Sequence, residues 1–249
     1  PTRIHALWSL NALHKVDADI SLQLLRSPNR NIRREALRAQ EGWLRTSLVE
    51  DSDPQVRAEA IRSVLRASAI TNEHLAELIR FAKPSVAPTT QREETPWAGR
   101  HGVPVAAGAS YNREFERFLV RQGLEQHPQM LKAFLNSGEA NDLPPENRLL
   151  ACLALPTAEA AQPFIAIWQH VNRLPNEEEL ILLLRGAQDP SLRPWVESLF
   201  ADPTRAQPLM MATLKLRDRL DAAVVESLLT AALLELSKTP GNEQLVLEM

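Results

Sequence analysis

The residues predict an all-α fold, an α-α superhelix built by stacking helical hairpins into a solenoid. Three observations carry this. Leu, Ala, Glu and Arg dominate while aromatics hold only 5%, so strong helix formers outnumber the residues that favour strands. Apolar residues recur at helical spacing, and no segment shows the period-two alternation of a half-buried strand. A short motif also returns along the chain, as in architectures assembled from one repeated supersecondary unit.

The motif is clearest when Asn29-Arg30-Asn31-Ile32-Arg33-Arg34-Glu35-Ala36-Leu37 is set against Asp53-Pro54-Gln55-Val56-Arg57-Ala58-Glu59-Ala60-Ile61. Each holds a polar cap, two variable positions, an aliphatic, then Arg-x-x-Ala-aliphatic. Asp189-Pro190-Ser191-Leu192-Arg193 repeats the first half, and Arg3-Ile4-His5-Ala6-Leu7 and Arg148-Leu149-Leu150-Ala151 the second. Asp53 and Asp189 are placed to cap helix N-termini, each worth about 1 kcal/mol. The proline that follows suits the first helical position, and Asp202-Pro203 has the same form. Arg57 and Arg193 stand four residues beyond their caps, which predicts an i,i+4 acid–base pair in each helix. Ala36 and Ala60 are small where two helices must come close. Arg33, Arg57 and Arg193 therefore read as structural repeat residues with Asp53, Ala36 and Ala60.

The helices follow in order. Ile20 to Leu25 form a short one. Ile32, Ala36, Leu37, Trp43 and Leu44 share the face of the next, and Val56, Ala60, Ile61, Val64 and Leu65 that of the third. Leu75 to Ile79 form another short helix. Leu180 to Leu184 are apolar nearly all round, which predicts a buried helix. The run Glu177-Glu178-Glu179 places negative charge at that helix's N-terminus, where the dipole favours it. Leu220, Val224, Leu228, Ala231 and Leu234 predict a final stripe. Trp8, Trp43, Trp168 and Trp195 sit in helical contexts and read as fillers of the core or of contacts between repeats.

The Asp-Pro-x-aliphatic-Arg-x-x-Ala pattern resembles HEAT repeats of the armadillo-type class, particularly the short bacterial form. The likeness is good across residues 1–82 and degenerate across 111–249. Motif arginines lie 30 residues apart (Arg3 to Arg33) and then 24 (Arg33 to Arg57), unequal as such repeats are. Arg3-Ile4-His5-Ala6-Leu7-Trp8-Ser9-Leu10 and Phe115-Glu116-Arg117-Phe118-Leu119-Val120 also resemble the helical region of large planctomycete and verrucomicrobial dehydrogenase-like proteins. That resemblance implies a segment between a sugar-dehydrogenase-type propeller and a cytochrome c domain, in an exported, periplasmic chain. The start, Pro1-Thr2-Arg3, lacks an initiator Met and a signal pattern, and reads as the interior of something longer.

Between the blocks, residues 83–110 carry prolines and glycines too closely spaced for a helix. Three blocks follow: N-terminal repeats over 1–82, a loop or linker over 83–110, and C-terminal repeats over 111–249. A plain linker does not need Trp97, Arg100, His101 and Tyr111. Three readings stay open for them: packing on the parent solenoid, contact with a partner, and disorder.

Charge and chemistry narrow the function classes. Net charge is −3 and pI about 6.1, without the basic bias of a nucleic-acid binder. No apolar run reaches the ~18 residues of a membrane span. The one cysteine, Cys152, excludes an internal disulfide and a multi-Cys zinc site, and its apolar neighbours predict burial. The six histidines form no HExxH, and no Cys-x-x-Cys-His, GxGxxG or G-x-S-x-G occurs. No catalytic, cofactor-binding or metal residue is expected. Arg26, Arg30, Arg33, Arg34 and Arg38 cluster on one hairpin; they read as a solvated face, or, with Arg30 and Arg34 foremost, as a patch for an acidic partner. The expected function is a non-catalytic scaffold that binds a protein or spaces neighbouring domains of its own chain. The alternatives are a HEAT-like DNA glycosylase and a cofactor-handling lyase like the HEAT-type bilin lyases.

Overall fold

The computed structural model describes residues 2–39, 46–86, 108–171, 173–202, 205–219 and 222–238. They form α-helices and short 3-10 turns, and among the described residues there is no strand. The chain is all-α, as the composition and periodicity predict. No helix among the described residues is long and apolar enough to cross a membrane.

The N-terminal unit, Pro1–Ala154, contains α1 (Thr2–Ala12), α2 (Ala18–Leu25), α3 (Arg30–Arg38), α4 (Pro54–Leu65), α5 (Asn72–Phe81), α6 (Ala109–Leu124), α7 (Pro128–Leu135) and α8 (Pro145–Cys152). Caps set several starts. Asp17 accepts the Ile20 N–H at 2.8 Å, Asn29 that of Asn31 at 2.9 Å, and Asp53 those of Gln55 and Val56 at 2.9 and 3.1 Å. Pro54 takes the first helical position, where its missing N–H costs nothing. After α1, His14 adopts the left-handed conformation usually given to glycine (φ 53°), and the Lys15 N–H closes on the Leu10 carbonyl at 2.9 Å.

Each helix packs on near neighbours in sequence: α2 on α3, α3 on α4, α4 on α5 and α6, α5 on α6 and α8. The compact units divide at Ala154 and Leu155, downstream of the 83–110 segment. The reason is α6, which lies against α4 and α5, the helices before the break. Gly123 allows that approach, because a methyl group there would overlap the Leu65 side chain. Further on, the buried Asn147 amide donates to the last carbonyls of α5, Ile79 at 2.9 Å and Arg80 at 3.0 Å.

The C-terminal unit, Leu155–Met249, contains α9 (Thr157–Trp168), α10 (Glu177–Gly186), α11 (Arg193–Phe200), α12 (Ala206–Leu216) and α13 (Ala222–Ser237). Leu180 to Leu184 are all buried, as their apolar run predicts. Glu177-Glu178-Glu179 fill the first turn of α10, where Glu179 and Asn176 accept each other's backbone N–H at 2.9 and 3.0 Å. Phe164 and Trp168 stack with centroids 5.8 Å apart, and Arg173 lies 5.3 Å above the Trp168 ring. Of the other tryptophans, Trp195 is partly buried against the core of α10 to α13. Trp8 is 39% exposed and donates its indole N–H to Glu35 Oε2, joining α1 to α3. Trp43 and Leu44 lie outside the described residues.

Two expectations fail in this unit. Asp189 accepts the N–H and hydroxyl of Ser191, so Asp189-Pro190 opens a turn, and α11 begins only at Arg193 with Pro194 in its first turn. In α13, among the described side chains, Val225, Leu228, Ala232 and Leu236 are buried and Ala231 is half-buried, while Leu234 is 62% exposed; Leu220 and the Val224 side chain lie outside the described residues. Leu234 leaves the predicted stripe because this helix is apolar over most of its circumference, and spacing alone does not select every buried position.

Candidate functional site

The repeated arginines form the most ordered polar feature. An arginine in the first turns of a helix directs its side chain back past the N-terminus. Arg33, Arg57 and Arg193 each reach a carbonyl six residues earlier: Ser27 at 2.9 Å, Asp51, and Ala187 at 3.0 Å. The predicted i,i+4 pairs with Asp53 and Asp189 do not form. The oxygens of Asp53 are taken by Gln55 N, Val56 N and Arg30, and Arg57 turns elsewhere. Arg33 grips both oxygens of Asp51 at 2.8 Å. Arg57 closes on a single oxygen of Glu116 in α6, Oε1, with Nε at 2.9 Å and Nη2 at 2.7 Å. Charge-assisted bonds of this kind are the stronger class, and the Arg33 pair adds the two-oxygen fork geometry. Ala36 and Ala60, on the same helices, are both buried.

Buried carboxylates accompany these arginines or repeat the device, among them Glu77 beside Arg80 at 3.2 Å. Glu116 meets Arg57 and Arg113, Glu59 meets Arg38, Arg62 and Arg66, and Glu179 meets Arg173 at 2.7 Å. The Arg66 guanidinium also donates to the Leu37 carbonyl at 3.0 Å, tying α4 to the end of α3. Glu59 holds the place of Glu35 in the two aligned motif copies, whereas the motif does not mark Glu116 or Glu179. Glu116 stands 59 residues from Arg57, so no local spacing marks the pair.

The basic cluster is largely neutralised. Arg30 pairs with Asp53 at 3.0 Å, Arg34 with Glu35 at 3.6 Å, and Arg38 with Glu35 and Glu59. Burial raises the Asp53 carboxyl, but the Arg30 guanidinium and the Val56 and Gln55 N–H groups outweigh it and hold it below the ordinary value. Trp97, Arg100 and His101 lie outside the described residues. Tyr111 is on α6, 53% exposed, and Phe118 follows two helical turns later at 57%, so the two share one face.

Open grooves lie among the described residues. One of about 470 Å³ is lined by Thr157, Ala158 and Ala161 of α9 and by Arg185, Gly186 and Asp189. One of about 290 Å³ is lined by Thr2, Arg3, Ile4, Asn29 and Ile32. Among the described residues no group of three His, Cys, Asp or Glu is arranged to hold a metal ion. Cys152 is fully buried, and burial pushes its thiol far above the usual range, which removes its nucleophilic form. No protein-family model, no curated protein and no solved structure matches the chain.

Proposed function

We propose that the chain is a non-catalytic scaffold of HEAT-like helical repeats, which binds a protein or spaces neighbouring domains within a larger exported redox protein. One observation carries this reading: the most repeated charged residues are engaged in joining helices to one another. Arg33 and Arg57 bond to Asp51 and Glu116 and are not free to act on a substrate. The pairing of Arg30, Arg34 and Arg38 with carboxylates weighs against a phosphate-binding groove, which needs uncompensated cations. The exposed aromatic pair Tyr111 and Phe118 supplies the kind of side chain that anchors interfaces.

A photoreactive phenylalanine placed at Tyr111 or Phe118 of the full-length parent, in its native cell, tests the reading. A discrete adduct with one polypeptide, or with another domain of the same chain, is expected. The same probe at Asn136, exposed elsewhere in the unit, should give none. Adducts no stronger than those at Asn136 remove the interaction reading. The parent sequence tests the rest: propeller-type strands upstream and Cys-x-x-Cys-His downstream are expected, and their absence removes the redox setting. Tight DNA binding at physiological salt would overturn the scaffold in favour of a nucleic-acid enzyme.

A further inference from the structure

Arg148 stands apart from its counterparts. It is the fourth residue of α8, as Arg33 is of α3 and Arg57 of α4. Those two are each closed by a carboxylate from later in the chain. Arg148 donates through Nη1 to the neutral amide oxygen of Asn141 at 2.9 Å, and its Nε is buried with no acceptor. It forms no ion pair among the described residues, although it is only 8% exposed. Desolvation there works against the charged guanidinium and pulls its pKa down. A buried cation left with one neutral acceptor is costly, and native proteins pair such groups or bind a counter-ion at them. The residues that follow it in α8 offer no anion: Leu149, Leu150 and Ala151 are apolar, and burial disfavours the thiolate of Cys152.

We propose that Arg148 is a receptor for an oxyanion, a carboxylate or phosphate group that occupies the place Asp51 and Glu116 take beside Arg33 and Arg57. The guanidinium fork matches two oxygens of either group, and a partly dehydrated site strengthens the contact. This site goes beyond the scaffold reading and does not depend on it, since a small free anion suffices to fill it.

Protein labelled with ¹⁵N at arginine allows the Arg148 Nε–H to be followed directly, assigned by its loss in Arg148→Lys. It is titrated separately with sodium acetate, inorganic phosphate and acetylated tetra-aspartate, at constant ionic strength set with chloride. A saturable shift of the Arg148 signal is expected, while the Nε–H signals of Arg33 and Arg57, already closed by carboxylates, stay in place. Saturation by acetate or phosphate identifies a free anion as sufficient. Saturation by the peptide alone identifies an acidic polypeptide segment as the source. In parallel, Arg148→Met in chloride buffer is expected to melt no lower than the parent and to lose its response to the effective anion. Absence of a saturable shift with all three probes, or equal shifts at Arg33 and Arg57, overturns the proposal. So does a lowered melting temperature of Arg148→Met with its anion response intact.

Discussion

The two units join their helices by different chemistry. In the N-terminal unit, α3, α4 and α6 are bridged by Arg33 with Asp51 and Arg57 with Glu116, and the partner sites are buried or nearly so. In the C-terminal unit, α10 to α13 meet through Leu180, Val196, Phe200, Leu209, Met210 and Leu228, with Glu179 the main buried charge. Ion pairs demand particular residues at particular positions, because a lone buried charge is penalised. Apolar contact accepts many side chains of suitable volume. This difference explains why the repeat is sharp in the first half of the sequence and blurred in the second.

The comparison breaks most visibly at Glu116. Glu116→Ala strands Arg57 and Arg113 beside a vacated site and should lower stability by about 3–5 kcal/mol, read from denaturant unfolding. A loss under about 1 kcal/mol would mean that the bridge is held by solvent rather than by its partner.

The close helix approaches give a smaller, opposing pair. A Cβ at Gly186 would lie 2.9 Å from Ala161 Cβ, an atom fixed to the α9 backbone. Gly186→Ala should therefore cost about 1–3 kcal/mol by overpacking. The obstacle at Gly123 is the movable end of Leu65, and Gly123→Ala regains helix propensity worth about 1 kcal/mol. Its melting temperature should change less than that of Gly186→Ala, and the reverse order would mean that the α4–α6 contact is the more rigid one.

Acid exposes the next term. The folded-state pKa of Asp53 lies below its ordinary value of 3.8, so its contribution is present above the unfolded pKa and lost as pH falls through the folded one. Asp53→Asn keeps a capping oxygen but loses the charge, and should be about 0.2–1 kcal/mol less stable at neutral pH. The two stability curves should converge below pH 3.8; parallel curves would show that Asp53 titrates alike in both states. Smallest is Arg30→Ala, whose side chain is 69% exposed, with a loss under about 1 kcal/mol that added salt erases.

Much of this architecture is readable from local spacing. The cap at Asp53, the proline after it, the small Ala36 and Ala60 and the acidic start of α10 follow from rules that act within one helical turn. The arginines are readable as repeat residues, but not their partners. A guanidinium side chain spans enough distance to pass its own cap, and the carboxylate it finds is 18 residues away for Arg33 and 59 for Arg57. The same limit hid the packing of α6 across the proline-rich break and the face that α13 buries. Of the candidate contact residues, Tyr111 stands exposed while Arg30 and Arg34 are paired, a distinction that depends on tertiary neighbours alone.

The Asn147 amide has a consequence for how the chain is divided and synthesised. It holds the Ile79 and Arg80 carbonyls from 68 and 67 residues downstream, so a fragment that stops before α8 leaves the end of α5 to water. During translation, the first five helices wait for the eighth before α5 can settle, which raises contact order and delays the cooperative step. A ribosome-stalled chain ending near residue 110 should remain protease-sensitive around α5, and protection should arrive only after Asn147 has emerged.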